Sequence, residues 1–458
     1  MPLTGLRVLI ADASLPTRAQ LRAIVEGLGA AEVVEAGALE DTVAALGGAE
    51  THIMLCGARF SDGRSGAQLL EALRARDMPA PATMVVVVGG ERTARSVAAV
   101  AELGPDAVIV KPFSRHDVAQ RLSRFHLRRQ RLRALADDVE AGRVVAAIEA
   151  CRQLAAEQPS LHSEAYRLIC ERLFAHGRFE LLAPLLREAM AVRPLPWGLL
   201  AVARLRQREQ QLEAACRIVE SVVQKWPTYL AAYDLLAQLN EQLGDSQAAL
   251  HWLERAAEIS SFSLKRLRRS GEIALRSGDL DRAEQAFARI VERGGPPPPA
   301  GSADYANLVQ VMLARGRFDA ARRVLDDEAE RLGEAHADAQ LTRILFELAR
   351  ARRDAEPAAV DAALDALTQC VLAGIGELST TLLLQGLEVC AEFGRHEAGY
   401  PLAQQIAHSG RVDRLVLQRA RVLVDQLRRR ARPARAPAEG AQALGEAAQA
   451  DDRAAEAA

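Results

Sequence analysis

Aromatic side chains are scarce, at 4% of 458 residues, so the cores have to be built mainly from Leu, Val and Ala. That argues against an aromatic-rich β-sandwich. Lysine is almost missing: of 58 basic residues only Lys111, Lys225 and Lys265 are lysines. The 60 acidic residues bring the net charge to −2, which argues against a surface given over to nucleic acid. Cysteine pairs are missing too. Cys56, Cys151, Cys170, Cys216, Cys370 and Cys390 are widely spaced, and no CxxC or Cys/His cluster has zinc spacing. Neither a metal site nor a disulfide framework is expected, and the residues read as buried thiols in a reducing compartment. The N-terminus MPLTGLRVLIAD lacks a signal-peptide layout, and no segment reaches the roughly 18 apolar residues of a membrane span. The expectation is a cytoplasmic protein with no membrane span.

What is present first is a run of short apolar segments: 6–11, 32–36, 52–56, 83–88 and 107–110. Helix-like stretches separate them at about 39–47, 66–76, 91–103 and from 114 onward, with Pro16 opening an earlier helix that carries Leu21, Ile24, Val25 and Leu28. Strands alternating with helices imply crossover connections and a parallel sheet. Near-continuous apolar strands imply a sheet covered on both faces. The expected fold over 1–125 is an α/β flavodoxin-like doubly wound domain of five parallel strands, with its chemistry at the carboxyl ends of the strands.

From about residue 125 to 432 the pattern is helical, and it repeats. Gly142, Gly177, Gly244, Gly278, Gly316 and Gly394 punctuate it near a period of 34, with Gln210 standing where one glycine is due. A small residue follows about five positions on, at Ala147, Ala215, Ala249, Ala283 and Ala321, and Pro159, Pro194 and Pro227 close the early units. Such a period of paired helices implies an all-α solenoid, since one pair cannot bury its apolar face alone. The loop 294–302 reads as a stiff insertion, 411–432 as a capping helix and 433–458 as a disordered tail.

LRVLIADAS, HIMLCGARFSDGRSG and AVIVKPFS resemble a two-component response-regulator receiver domain over about 120 residues. The resemblance implies an acid pair, a phosphorylated Asp, a Ser or Thr and a Lys at successive strand ends. Here Asp12 matches the first acid, Ala13 replaces the second, Gly57 stands at the acceptor position and Gly89 at the hydroxyl position, and Lys111 is kept. Glycine has no nucleophile, and one carboxylate is a poor Mg²⁺ site. The expectation is a pseudo-receiver in which Asp12 and Lys111 form a structural pair. Asp62 is the nearest other carboxylate.

The region 136–410 resembles tetratricopeptide repeats, best at 229–259, where Tyr233, Leu236, Ala237, Gly244, Ala249, Leu253 and Ala256 meet the size pattern. The resemblance implies a concave groove lined by Arg204, Asp234, Gln238, Glu241, Arg268, Glu272 and Gln310, with mixed charges suited to a peptide or helix of a protein partner. The segment 126–135 reads as a basic helical connector, in a stretch holding Arg115, Arg121, Arg124, Arg128, Arg129, Arg131 and Arg133. Neither half shows a nucleophile–base constellation, so no enzyme, cofactor or metal is expected. The reading is a bacterial, non-enzymatic signalling adaptor, with a histidine kinase or other signalling protein as a candidate at the receiver face. The alternatives are a working response regulator in a phosphorelay with the repeats as output, and a nucleic-acid-linked regulator using the Arg-rich connector. The missing acceptor argues against the first, and the balanced charge against the second.

Overall fold

The computed structural model describes residues 3–57, 60, 66, 69–70, 73, 78, 83–89, 105–260, 263–292, 301–332, 337–373, 378–408 and 414–430. The helices expected at 66–76 and 91–103 lie largely or wholly outside these residues. So do Asp62, the loop 294–300 and the tail 433–458. The chain divides into two compact units, Met1–Arg266 and Leu267–Ala458.

The first unit opens with five strands: β1 (Arg7–Ala11), β2 (Glu32–Ala36), β3 (Ile53–Gly57), β4 (Met84–Val88) and β5 (Ala107–Ile109). All pair in parallel in the order β2-β1-β3-β4-β5. Each lies within a residue or two of an expected apolar run. Period-two alternation divides the core between the faces. Val8, Ile10, Ile53, Leu55, Val86 and Val88 pack with Leu21, Ile24 and Val25 of α1 (Leu15–Gly27), and with Val118 and Leu122. Leu9, Ala11, Met54, Cys56 and Val87 pack on the other side with Leu39 of α2 (Leu39–Gly48). Ser14 caps α1 by accepting the Thr17 N–H, and Pro16 sits in its first turn.

Helix α3 (Arg115–Glu140) is continuous for 26 residues, with the expected connector 126–135 as its middle. Ser114 and Asp117 cap each other at its start. Its first turns bury Val118 and Leu122 on the sheet, and its last turns bury Leu135 and Val139 among Ile148, Cys151 and Ile169. One helix thus belongs to two cores. Helix pairs follow, from Val144–Glu157 and His162–Ala175 to Leu230–Gln242 and Ser246–Ile259.

The second unit continues with helices from Leu280–Glu292 to Arg414–Arg430, after Leu264–Ser277, which spans the division. The last of these helices, Arg414–Arg430, lies within 411–432.

Every expected turn residue has a left-handed backbone: Gly142, Gly177, Gly244, Gly278, Gly316 and Gly394, and also Gln210 at φ 58°. The small residues Ala147, Ala215, Ala249, Ala283 and Ala321 have 0% exposure, as close helix approach requires. The structure adds a turn the sequence reading missed, at Ala355 with φ 52°. The spacing widens there, to 39 residues on either side, and the second unit keeps paired helices after the period has drifted.

A non-glycine residue at positive φ costs about 1–2 kcal/mol, and glycine returns part of that in unfolded-state entropy. Gln210→Gly is therefore expected to stabilise the first unit by about 0.5–1 kcal/mol, read as a rise in denaturation midpoint. A fall would show that the Gln210 side chain contributes more than its backbone costs.

Candidate functional site

Asp12 follows β1, Gly57 ends β3, Gly89 follows β4 and Lys111 follows β5, so all four sit at the carboxyl edge of the sheet. The strand order reverses direction between β1 and β3, the place where doubly wound sheets take ligands. Asp12 is buried at 4% exposure. Its Oδ1 accepts the Ser14 N–H at 2.7 Å, and its Oδ2 lies 3.7 Å from Lys111 Nζ. The ammonium also donates to Thr17 Oγ1 at 3.2 Å. Sequence reading paired Asp12 with Lys111 but missed Thr17, whose hydroxyl carries no motif.

A Cβ placed on Gly57 would stand 2.5 Å from Asp12 Cγ and 2.8 Å from Asp12 Cβ, with Oδ2 nearer still. The carboxylate therefore occupies the space into which a side chain at 57 would grow. Neighbouring Cys56 is fully buried, and burial followed by the Asp12 charge pushes its thiol pKa upward. Among the described residues of the edge the donor set is one carboxylate, already held by a backbone N–H and facing an ammonium. Ala13 and Gly57 add no side-chain oxygen. These residues do not fit a Mg²⁺ site of the kind the family uses.

The response regulator receiver domain family matches residues 8–123, which run from the second residue of β1 through β5 and the first nine residues of α3. Residues 8–123 are a receiver domain. No curated protein matches the chain. Among solved structures, a CheY-like receiver domain protein from Methanospirillum hungatei is similar at 23% identity, covering 26% of this chain and 93% of its own, with a TM-score of 0.24. A tetratricopeptide repeat protein from Parabacteroides merdae is similar at 15% identity, covering 55% of this chain and 94% of its own, with a TM-score of 0.34. The C-terminal part of a repeat protein from Cytophaga hutchinsonii is similar at 13% identity, covering 55% and 97%, with a TM-score of 0.37.

Beyond the receiver domain, the expected groove residues divide between the two units. In the first, Arg204 is exposed and lines a cleft of about 100 Å³ with Arg167, Glu171, Trp197 and Tyr229. Asp234 accepts two hydrogen bonds from the buried guanidinium of Arg266, at 2.7 and 3.1 Å. Gln238 is exposed. Glu241 is buried, at 7% exposure.

In the second unit the Arg268 guanidinium binds both oxygens of buried Asp304, at 2.8 to 3.1 Å, and keeps a side-chain exposure of 35%. Glu272 and Gln310 line a pocket of about 380 Å³. The sequence reading missed Asn307, Thr380, Gln385 and Arg419, which line the same pocket. Three of these lie past residue 335, where the period loses its regularity.

Three of the seven arginines in the basic stretch of α3 have acidic partners. Arg129 pairs with Asp106 ahead of β5, Arg128 with Glu164, and Arg133 with Asp137 at 3.9 Å. Asp106 in turn accepts the Val85 N–H at 2.7 Å. These pairs tie α3 to the sheet on one side and to the helix His162–Ala175 on the other.

Proposed function

We propose that this chain is a non-enzymatic signalling adaptor of the bacterial cytoplasm. In this reading its receiver domain is phosphorylation-incompetent and its tetratricopeptide-like repeats bind a protein partner. The observation that carries the reading is the seat of Asp12 beside Gly57. An aspartyl phosphate needs a carboxylate nucleophile at the end of β3, and none is present there. The neighbouring acid that would help hold Mg²⁺ is replaced by Ala13, and Gly89 has no hydroxyl with which to hold a phosphoryl oxygen. The two-state relay has no charge change to sense. What remains is a rigid edge in which Lys111 neutralises Asp12, leaving the domain as a docking surface.

The partner-binding role rests on the repeats, whose exposed Arg204 and Gln238 and whose pocket residues Glu272 and Gln310 offer mixed polar recognition. In this reading the receiver domain takes 1–125 and the repeats 136–410, with α3 as the join.

The test is capture of partners from the native cytoplasm by the full chain, with and without acetyl phosphate and Mg²⁺. The expected result is the same partner at the same yield in both conditions. A partner gained or lost only with the phosphoryl donor would restore the working response regulator.

A further inference from the structure

The pocket of about 380 Å³ in the second unit holds more unsatisfied polar chemistry than a solvated face needs. Asn307 has 4% exposure and lines it, and its buried Oδ1 has no hydrogen-bond partner. Gln310 Oε1 and Gln385 Nε2, on the same wall, are buried without partners as well. A buried polar atom left unmatched is costly, so three carboxamides around one opening mark a place built for a hydrogen-bonding guest. Carboxamides present a donor and an acceptor together, which is the complement of a peptide group.

The rim supplies charge. Arg269, Arg276 and Arg419 stand against Glu272 and Glu388, and Arg419 pairs with Glu388 at 2.7 Å. The helix Thr380–Phe393 begins here with Thr380 and Thr381 on the wall, and Ser379 makes no side-chain cap bond. Its first-turn N–H groups add positive potential. Asp338 Oδ1 accepts the Ser379 N–H at 2.9 Å. The guest is therefore an extended segment with acidic side chains.

We propose that the guest is this chain's own C-terminal stretch, Glu439 to Glu456. It carries Glu439, Glu446, Asp451, Asp452 and Glu456 against the single base Arg453. It is attached to the pocket wall itself, since Val416 and Arg419 at the start of Arg414–Arg430 line the opening. Arg419 lies about 16 Å along that helix from Arg430. The nine residues from Ala431 to Glu439 reach at most about 30 Å when extended, enough to turn back. A tether of this length gives a local concentration of order millimolar, so modest intrinsic affinity keeps the pocket filled. An outside acidic segment has to displace the tail before it can enter.

The experiment uses a fluorescent peptide of residues 436–458 and anisotropy at low salt. Its targets are the full wild-type chain and a full chain whose tail is neutralised by E439Q, E446Q, D451N, D452N and E456Q. The peptide is expected to bind the neutralised chain saturably and the wild type at least tenfold more weakly. Arg276→Glu, an exposed rim change, is expected to weaken binding to the neutralised chain at least tenfold with an unchanged melting curve. Asn307→Ala is the second probe, read only where the melt shows a folded second unit. No saturable binding to the neutralised chain, equal binding to both chains, or indifference to Arg276→Glu would each overturn the proposal.

Discussion

Asp304→Ala is expected to destabilise the second unit by about 3 kcal/mol, the low end for breaking a buried ion pair. Asp304 has a side-chain exposure of 3%, accepts three hydrogen bonds from Arg268, and takes the Gly301 N–H at 2.9 Å. Removing it takes the forked partner from the Arg268 guanidinium and frees the start of the helix Ser302–Ala314. Arg268 keeps 35% of its exposure, and partial hydration holds the loss to the low end. Denaturant unfolding followed by far-ultraviolet circular dichroism reads it as an early transition. Arg268→Lys is expected to recover only part of the loss, because an ammonium cannot reproduce the forked pair. A loss below about 1 kcal/mol for Asp304→Ala would mean the pair contributes no more than a surface salt bridge.

Gly57→Ala is expected to cost about 2–4 kcal/mol, from overpacking a filled site and losing a hydrogen bond. The added methyl meets not only the end of the Asp12 side chain but its Cβ, which cannot swing away without moving β1. Asp12 must give up either its bond to the Ser14 N–H or its approach to Lys111. Asp12→Ala placed on the Gly57→Ala background is expected to recover stability, a non-additivity that a double-mutant cycle measures. Additive losses would show that the two positions do not share space.

The receiver half was legible because its strands are buried on both faces, and nearly unbroken apolar runs such as IMLCG and MVVVV leave little choice of register. The position of its carboxyl edge was legible too: Asp12, Gly57, Gly89 and Lys111 stand at the ends of runs. The repeats were legible where turn glycine and following alanine keep phase, even through Gln210. They faded past Gly316 because Ala355 takes the left-handed turn without being glycine and the spacing widens. Single groove residues were the least legible. Exposure at Glu241 and free charge at Arg268 depend on which neighbours they meet across helices, and a repeat register does not carry that information. Asn307 and Gln385 converge on one pocket from helices more than 70 positions apart, which no local pattern signals.

The most direct measurement of the central claim is intact mass after incubation of the full chain with acetyl phosphate and Mg²⁺. The account expects no gain of a phosphoryl group, because no side chain at 57 can accept one and Asp12 is held by Ser14 and Lys111. A single phosphoryl gain that disappears in Asp62→Asn would contradict it, and would show that the receiver domain still takes phosphate through the neighbouring loop.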